Sequence, residues 1–268
     1  MPTTNPSRWE REQVLQTKSI GVVIPALNEA GSIARVIADL PDYIDTIVVA
    51  DNGSTDDTAR IAAEAGAHVA RAKRRGYGSA CLAGLAALPA VDIVVFIDGD
   101  YSDYPQQADR LLAPLLAGSA DLVIGSRTLG NAAAGSLSVP QVFGNWLATR
   151  LIRLIWGVAY TDLGPFRAIC ANALTALEMR DPDFGWTVEM QIKAARLGLR
   201  HVEVPVDYRQ RIGTSKISGS LIGSARAGFK ILGWIGAVAL HDAFVPDTRS
   251  GATPTLPTDA SPPARSNT

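Results

Sequence analysis

The sequence predicts an α/β protein with a mostly parallel central sheet and helices on both of its faces. Short apolar runs rich in β-branched residues recur between residues 20 and 125, a pattern typical of strands buried on both faces. Amphipathic helical segments alternate with these runs through short links, as in successive βαβ units. Polar residues follow several of the runs, where an open sheet of this kind binds its ligands.

The first half of the chain supplies most of the predicted sheet. Five strands are expected at residues 20–24, 46–50, 68–70, 93–97 and 121–125. Four helices are expected between or after them: residues 31–40, a helix capped by Ser54 or Thr55 that runs through Ile61, a helix that opens at residues 74–80 and reaches Leu88, and residues 109–116.

The pattern changes after Arg127. A loop rich in Gly, Ala and Ser is expected at residues 129–139, an amphipathic helix at 142–157, and a polar turn at 161–167 that leads to a short apolar piece. A helix is expected at 187–197, an alternating strand at 201–208, a basic loop at 209–216 and a last helix at 217–243. These elements predict a flexible leader at residues 1–18, one domain at 19–216, an amphipathic C-terminal helix at 217–245 and a disordered tail at 246–268.

Composition excludes several classes of protein. The chain has 268 residues, of which 47% are hydrophobic and 19% charged, and this suits a soluble α/β protein. Its formal net charge of -1 argues against a nucleic-acid partner. The two cysteines are too far apart for a zinc motif and predict buried thiols in a reducing compartment. Without a signal-peptide pattern or an apolar run near ~20 residues, the sequence predicts a cytoplasmic protein.

The strongest candidate for chemistry follows the fourth predicted strand. There the apolar run ends in Asp98, Gly99 and Asp100, so two carboxylates lie one residue apart at the carboxyl end of a buried strand. Such a pair is poorly solvated unless a cation joins it, and a divalent metal commonly does so. An ordinary acidic turn is the alternative.

Two further polar loops are expected at the same edge of the sheet. Asn28 and Glu29 follow the first strand, and Asp51 follows the second, although Asp51 could simply cap a helix. The Gly76 and Gly78 pair lacks the third glycine of a dinucleotide-binding motif and follows the third strand, so a dehydrogenase is not indicated. The sequence has no phosphate-binding Gly-Lys-Ser/Thr loop of an ordinary NTPase.

Several motifs in order resemble family 2 glycosyltransferases with the GT-A fold. The motifs are VVIPALNEAGSI, VVADNGSTDDT, RRGYGSACLAGL and FIDGDYSDYP, followed by GSR, TDLGPFRAI, GWTVEMQIKAARLG and RQRIGTSK. Together they cover about residues 20–233 and look like the branch that contains dolichyl- and polyprenyl-phosphate mannosyltransferases and glucosyltransferases.

This resemblance implies roles for matching residues in the first half. Those expected to bind a nucleotide-sugar donor are Pro25, Asn28, Glu29, Asp51, Gly76, Gly78 and Asp98. Asp98 and Asp100 would hold Mg²⁺ or Mn²⁺ against the donor diphosphate. Ser102 stands where relatives often carry Gln; its hydroxyl could still meet the metal, and Asp103 is a possible substitute.

In the second half, the resemblance points to the acceptor and the transferred sugar. The residues expected to bind an acceptor phosphate are Arg127, Arg211, Ser215 and Lys216, unless the loop from Arg211 is simply solvated. Asp162 and Glu189 are the catalytic candidates. Either could act as base for a hydroxyl acceptor, orient the sugar or form a structural salt bridge.

These observations predict an inverting enzyme that transfers a hexose from UDP-glucose or GDP-mannose to a polyprenyl phosphate. A soluble hydroxyl acceptor is the alternative enzyme, and a nucleotide-sugar-binding or nucleotidyl-transferring protein is the alternative of another class. Residues 142–157 are expected to pack on the sheet. Residues 217–240, with Trp234 near Arg226 and Lys230, could lie in a membrane interface, pack on the core or form an oligomer contact. An interfacial helix would place the protein at the inner face of the membrane.

Overall fold

A computed structural model describes residues 18–213 and 231–240. The described chain forms a seven-stranded sheet in the order β3-β2-β1-β4-β6-β5-β7. The strands are β1 Ile20–Ala26, β2 Thr46–Asp51, β3 His68–Arg71, β4 Ile93–Phe96, β5 Leu122–Ser126, β6 Arg167–Cys170 and β7 His201–Pro205.

Helices flank this sheet. They are α1 Ile33–Ala38, α2 Thr58–Glu64, α3 Tyr77–Ala87, α4 Ala108–Leu116, α5 Val139–Trp156, α6 Ala171–Leu177, α7 Trp186–Arg196 and α8 at 231–240, with a short 3₁₀ turn at Pro105–Gln107. The predicted α/β class is confirmed, and five predicted strands and their helices lie within a few residues of the expected positions.

The sheet is mostly parallel, as expected, with one exception. Strand β6 is antiparallel to both of its neighbours, β4 and β5, whereas β1, β2, β3 and β4 pair in parallel, as do β5 and β7. The sequence analysis placed only a short apolar piece at β6. Four residues that begin with a buried arginine carry too little periodicity to identify a strand.

Both faces of the sheet carry a hydrophobic core, and β1 contributes to each. Val22 belongs to the same buried cluster as Ile33 of α1 and Leu111 of α4, on one face. Val23, the next residue, belongs to the cluster on the other face, together with Met190 of α7. Successive strand residues point to opposite faces, so continuous apolar burial along β1 follows directly from helices covering both sides.

Helix α5 departs from the expectation that it simply packs on the sheet. Its inner face is buried at Ala148 and Ile152, but Phe143, Trp146 and Leu154 are exposed. The helix begins earlier than predicted, because Ser138 and the side chain of Gln141 form a capping box at its N-terminus. Its apolar residues therefore divide between core and surface.

The predicted C-terminal helix is described only at α8. Ile235 is 1% exposed and packs with the second core cluster, and Trp234 lies partly buried against it. The remainder of that helix, the predicted leader up to residue 17 and the predicted tail lie outside the described residues. Within the described residues, no helix is both long and apolar enough to cross a bilayer.

Candidate functional site

A cavity of about 330 Å³ opens at the carboxyl ends of β1 and β4, beside the N-terminus of α3. The residues expected at the site that line it are Pro25, Glu29, Gly76, Asp98, Asp100 and Arg211. The parallel pairing of β1 with β4 explains this grouping, because the segments after both strands emerge at the same edge of the sheet.

The acid pair forms one wall of the cavity. The Tyr77 hydroxyl donates to Asp98 Oδ1 at 3.0 Å. Asp100 Oδ1 accepts hydrogen bonds from the Ser102 backbone N–H at 2.9 Å and its hydroxyl at 2.5 Å, and Asp100 Oδ2 lies 2.8 Å from Arg211 Nη1. Burial, followed by the nearby charge of Asp100, raises the pKa of Asp98 to about 7. Additional positive charge beside the pair would therefore favour the ionised form of Asp98.

This donor set fits a hard divalent cation that also binds a ligand's phosphate oxygens. Asp98 and Asp100 offer carboxylate oxygens from the wall of the same cavity, and Mg²⁺ typically takes only one or two protein carboxylates at phosphate sites. No cluster of three or more Asp, Glu, His or Cys side chains arranged for a metal occurs in residues 18–213 or 231–240. A metal here would need a ligand to complete its coordination.

Ser102 and Asp103 lie behind the acid pair. Ser102 is 0% exposed, and its hydroxyl is directed at Asp100. Asp103 is 1% exposed, and neither of its carboxylate oxygens has a hydrogen-bond partner. Burial, reinforced by Asp98 and Asp100, raises the pKa of Asp103 well above its ordinary value. Ser102 thus holds Asp100 in place from the protein side, whereas Asp103 makes no hydrogen bond to either acid, and neither side chain lines the cavity.

Asn28 and Asp51 organise the neighbouring turn. Asn28 Oδ1 accepts a hydrogen bond from the Thr55 backbone N–H at 2.8 Å, and Asp51 Oδ1 accepts one from the Ser54 backbone N–H at 2.9 Å. Neither residue lines the cavity, but Asn52 does, and its Oδ1 accepts a hydrogen bond from the Gly76 N–H at 2.9 Å. Sequence reasoning missed Asn52, although it lies beside Asp51 in the same polar loop.

Gly76 and Gly78 allow residues 181–184, which are distant in sequence, to pack closely beside the cavity. A Cβ on Gly78 would lie 1.9 Å from the Asp181 carbonyl oxygen, and one on Gly76 would lie 2.1 Å from that of Pro182. This close contact brings Asp183 and Phe184 into the cavity wall. Of the two glycines expected to bind the donor, Gly76 lines the cavity and Gly78 does not. The small size of both is needed for the backbone of residues 181–183 to pack here.

Arg127 and Asp162 form a second polar centre that does not line this cavity. The backbone N–H and Nε of Arg127 donate to Asp162 Oδ2 at 2.8 and 2.7 Å, and Nη2 donates to Oδ1 at 2.7 Å. Their side chains are 13% and 2% exposed. The Arg127 guanidinium also lies 5.1 Å from the centre of the Tyr208 ring. The pairing is bidentate and nearly buried, which fixes both side chains in place.

The structure does not bring Glu189 into the cavity with the acid pair. Glu189 accepts hydrogen bonds from the backbone N–H groups of Arg180 and Asp181 at 3.0 and 2.7 Å and lies 2.7 Å from Lys193 Nζ. It lines a different cavity, of about 590 Å³. Its contacts are those of a buried side chain that supports the 180–183 segment. Ser215 and Lys216 lie outside the described residues.

Comparison with known proteins identifies relatives of the whole domain. The model of the family described as Glycosyl transferase family 2 matches residues 21–174. An uncharacterized glycosyltransferase of Mycobacterium tuberculosis is 40% identical over 209 residues, covering 77% of this chain and 93% of that protein. The undecaprenyl-phosphate mannosyltransferase of Micrococcus luteus is 32% identical over 218 residues, covering 76% of this chain and 89% of that protein.

A solved structure shares the fold. Glucosyl-3-phosphoglycerate synthase from Mycobacterium tuberculosis, crystallised with Mn²⁺, uridine diphosphate and glucosyl-3-phosphoglycerate, is 27% identical to this chain with a TM-score of 0.71. The similarity covers 92% of this chain and 88% of that one. The predicted GT-A architecture is therefore confirmed.

Proposed function

The chain belongs to glycosyl transferase family 2, and from this premise we propose that it transfers a hexose from a nucleotide sugar to a polyprenyl phosphate, with inversion at the anomeric carbon. UDP-glucose and GDP-mannose are the proposed donors. The similarity to the Micrococcus luteus undecaprenyl-phosphate mannosyltransferase supports this class of acceptor.

The cavity beside the acid pair is the proposed donor site. Pro25, Glu29 and Asn52 would hold the nucleotide, and Asp98 and Asp100 would hold Mg²⁺ or Mn²⁺. The cation would neutralise the charge that develops on the departing nucleoside diphosphate. The Mn²⁺ and uridine diphosphate in the crystallised glucosyl-3-phosphoglycerate synthase support this assignment.

The hydrogen bonds that Asp162 already makes within the protein favour a phosphate acceptor over a hydroxyl acceptor. Both of its oxygens already accept hydrogen bonds from Arg127, and the oxygens of Glu189 are occupied by two backbone N–H groups and Lys193. A hydroxyl acceptor needs a base within hydrogen-bond reach. Asp162 and Glu189 are each 1% exposed and already hydrogen-bonded to the protein, so we expect neither to take a proton from an acceptor. A phosphate oxygen is already anionic and can attack the anomeric carbon without a base while the bond to the diphosphate breaks.

Arg127 is the proposed contact for the acceptor phosphate. Its pairing with Asp162 uses Nε and Nη2, so Nη1 can donate to a phosphate oxygen. A guanidinium held in this way loses little conformational freedom when it binds an anion. Arg211 would then serve the donor side, where it already lies against Asp100.

A soluble phosphorylated hydroxyl compound is the second candidate acceptor, because glucosyl-3-phosphoglycerate synthase has been crystallised with phosphoglyceric acid. A direct assay separates the two candidates. The protein is incubated with Mn²⁺ or Mg²⁺ and each nucleotide sugar, together with either a short-chain polyprenyl phosphate or 3-phosphoglycerate. The proposal expects a glycosyl prenyl phosphate. Transfer to 3-phosphoglycerate alone would overturn the lipid acceptor.

A further inference from the structure

Helix α5 carries a row of exposed apolar side chains. We call this surface the α5 stripe: Val139, Val142, Phe143 and Trp146, which are 83%, 53%, 59% and 57% exposed. Their spacing places them on one face of the helix over its first two turns. The rings of Phe143 and Trp146 contact each other, with centroids 5.9 Å apart. Contiguous exposed apolar surface of this kind commonly marks an interaction site.

The charges beside the α5 stripe indicate an anionic partner. Arg150 and Arg153 continue the same exposed face one and two turns further along, and α5 contains no Asp or Glu. An apolar surface with an aromatic residue, bordered by arginines, is typical of a helix that lies in the headgroup region of a bilayer. Anionic lipid headgroups would pair with the arginines while the apolar side chains enter the acyl boundary.

A second copy of the chain fits this surface less well. A symmetric contact through α5 would bring both arginines of each copy into an interface to which the helix contributes no carboxylate. Burying unpaired charge in a protein interface is costly. A lipid surface avoids that cost, because the arginines stay at the level of hydrated phosphates.

The α5 stripe is tied directly to the proposed acceptor site. Asn145, next to Trp146 in the chain, donates from Nδ2 to the Thr161 carbonyl at 3.0 Å and accepts from the Leu163 N–H at 2.8 Å. These two bonds bracket Asp162, the partner of Arg127. Any surface that binds the α5 stripe would therefore also hold the Arg127–Asp162 pair at a fixed position relative to that surface.

We propose that the α5 stripe docks the protein on an anionic lipid bilayer, with the Arg127–Asp162 pair held near the headgroups. The docking stands on the exposed side chains and charges of α5, while its use in presenting a lipid phosphate rests on the proposed function. This assigns the membrane contact to α5 and not to α8, whose Ile235 packs in the core.

Vesicle sedimentation tests the docking with the full chain. Wild-type protein is expected to bind phosphatidylcholine vesicles that contain phosphatidylglycerol, and to bind less at high salt. The double substitution Phe143→Ser and Trp146→Ser should lower binding roughly tenfold or more, because two interfacial anchors are lost. Leu240→Ser is the matched control, since Leu240 is 62% exposed on α8, and it should bind as wild type does.

Charge reversal tests the lipid preference. Arg150→Glu with Arg153→Glu should abolish the preference for phosphatidylglycerol, whereas Arg35→Glu, an exposed change on α1, should not. We call the Phe143→Ser and Trp146→Ser double substitution the stripe variant. The docking would be overturned if wild type failed to bind anionic vesicles, or if the stripe variant bound them as well as wild type does. It would also be overturned by a wild-type dimer that the stripe variant converts to a monomer without any vesicle binding.

The proposed acceptor and the proposed docking can be tested independently of each other. Transfer to a water-soluble short-chain prenyl phosphate needs no membrane, so the stripe variant should retain wild-type turnover in that assay. Vesicle binding without any prenyl-phosphate transfer would sink the proposed acceptor and leave the docking intact. Transfer combined with unchanged vesicle binding by the stripe variant would sink the docking alone. Circular dichroism and thermal unfolding like those of wild type would show that the exposed substitutions leave the fold intact.

Discussion

Arg211 Nη1 lies 2.8 Å from Asp100 Oδ2, so an arginine already neutralises one carboxylate of the acid pair. The Arg211 and Asp100 side chains are 27% and 5% exposed. The positive charge of Arg211 thus lies beside the same carboxylate that a divalent metal would bind. A divalent metal at the acid pair would therefore compete with Arg211 for Asp100, unless the donor diphosphate bound the arginine instead.

The first prediction follows from this competition. Arg211→Ala should bind Mn²⁺ alone more tightly than wild type, by roughly threefold to tenfold, because no ion pair has to be broken before Asp100 meets the metal. Turnover should nevertheless fall, since a positive charge beside the diphosphate is lost. Electron paramagnetic resonance of free Mn²⁺ measures the binding. Arg110→Ala, which changes an exposed residue of α4, is the control and should match wild type. Weaker Mn²⁺ binding by Arg211→Ala would refute the competition.

The second prediction concerns the metal itself. Asp100→Asn should reduce turnover by roughly 100-fold or more, because the developing charge on the leaving diphosphate loses its cation. The variant should also lose the Mn²⁺-dependent part of uridine diphosphate binding measured by calorimetry. Asp42→Asn changes an exposed acid away from the cavity and should behave as wild type. Full activity in Asp100→Asn would show that the acid pair does not hold a catalytic metal.

The acid pair could be predicted from the sequence because its signal is local. An apolar run that ends abruptly in Asp98 and Asp100 places both residues at the carboxyl end of a strand, and the parallel partner β1 adds Pro25 and Glu29 to the same edge. A strand ends where its apolar pattern ends, so a single sequence is enough to locate that point.

Other parts of the site depend on contacts that periodicity does not encode. Asp183 and Phe184 reach the cavity only because Gly78, about a hundred residues earlier, lets their segment approach. The pairing of Arg127 with Asp162 likewise joins two turns far apart in sequence. The exposed face of α5 was missed for a related reason: an amphipathic pattern identifies an apolar side but not whether the core covers it.

The third prediction uses the Arg127–Asp162 pair. Asp162→Asn leaves the nearly buried Arg127 without its counter-charge and should cost about 3–5 kcal/mol of unfolding free energy. Replacing both residues, as in Arg127→Met with Asp162→Leu, should restore much of that loss because no unpaired charge remains. Urea unfolding compares wild type, Asp162→Asn, the single variants Arg127→Met and Asp162→Leu, and the double variant. Additive effects of the two changes would mean that the pair is not coupled.

The fourth prediction is a pH dependence away from the site. Hydrogen bonds from Arg200 hold the pKa of Asp121 below its ordinary value. A lowered pKa in the folded protein adds stability that is present above the unfolded pKa of about 3.9 and is lost as pH falls through the folded value. Because the Arg200 side chain is 54% exposed, the gain is modest. Asp121→Asn should cost about 1 kcal/mol at pH 7.

Unfolding of wild type and Asp121→Asn across a range of pH checks this sign. The stability difference between the two proteins should stay constant from pH 7 to about pH 5 and shrink below about pH 4. Asp57→Asn, which removes an exposed partner of Arg60, should change stability by a few tenths of a kcal/mol at most. A difference that grows as the pH falls would contradict the lowered pKa of Asp121.

The fifth prediction concerns the glycine contact that builds the cavity wall. A methyl group on Gly78 would lie 1.9 Å from the Asp181 carbonyl oxygen, and a backbone atom cannot move aside as a flexible side chain can. Gly78→Ala should therefore displace the segment that carries Asp183 and Phe184 and break the hydrogen bond from Ser79 N–H to the Pro182 carbonyl, now 2.8 Å long. Stability should fall by about 2–3 kcal/mol.

The same displacement should weaken donor binding roughly tenfold, because two residues of the cavity wall move. Calorimetry with uridine or guanosine diphosphate, at a temperature where the variant is fully folded, separates this effect from unfolding. Gly144→Ala is the control: its Cβ meets nothing within 4 Å, and alanine is favoured over glycine inside a helix. Wild-type affinity in a folded Gly78→Ala variant would remove the 181–184 segment from the donor site and leave Asp98 and Asp100 as its defining wall.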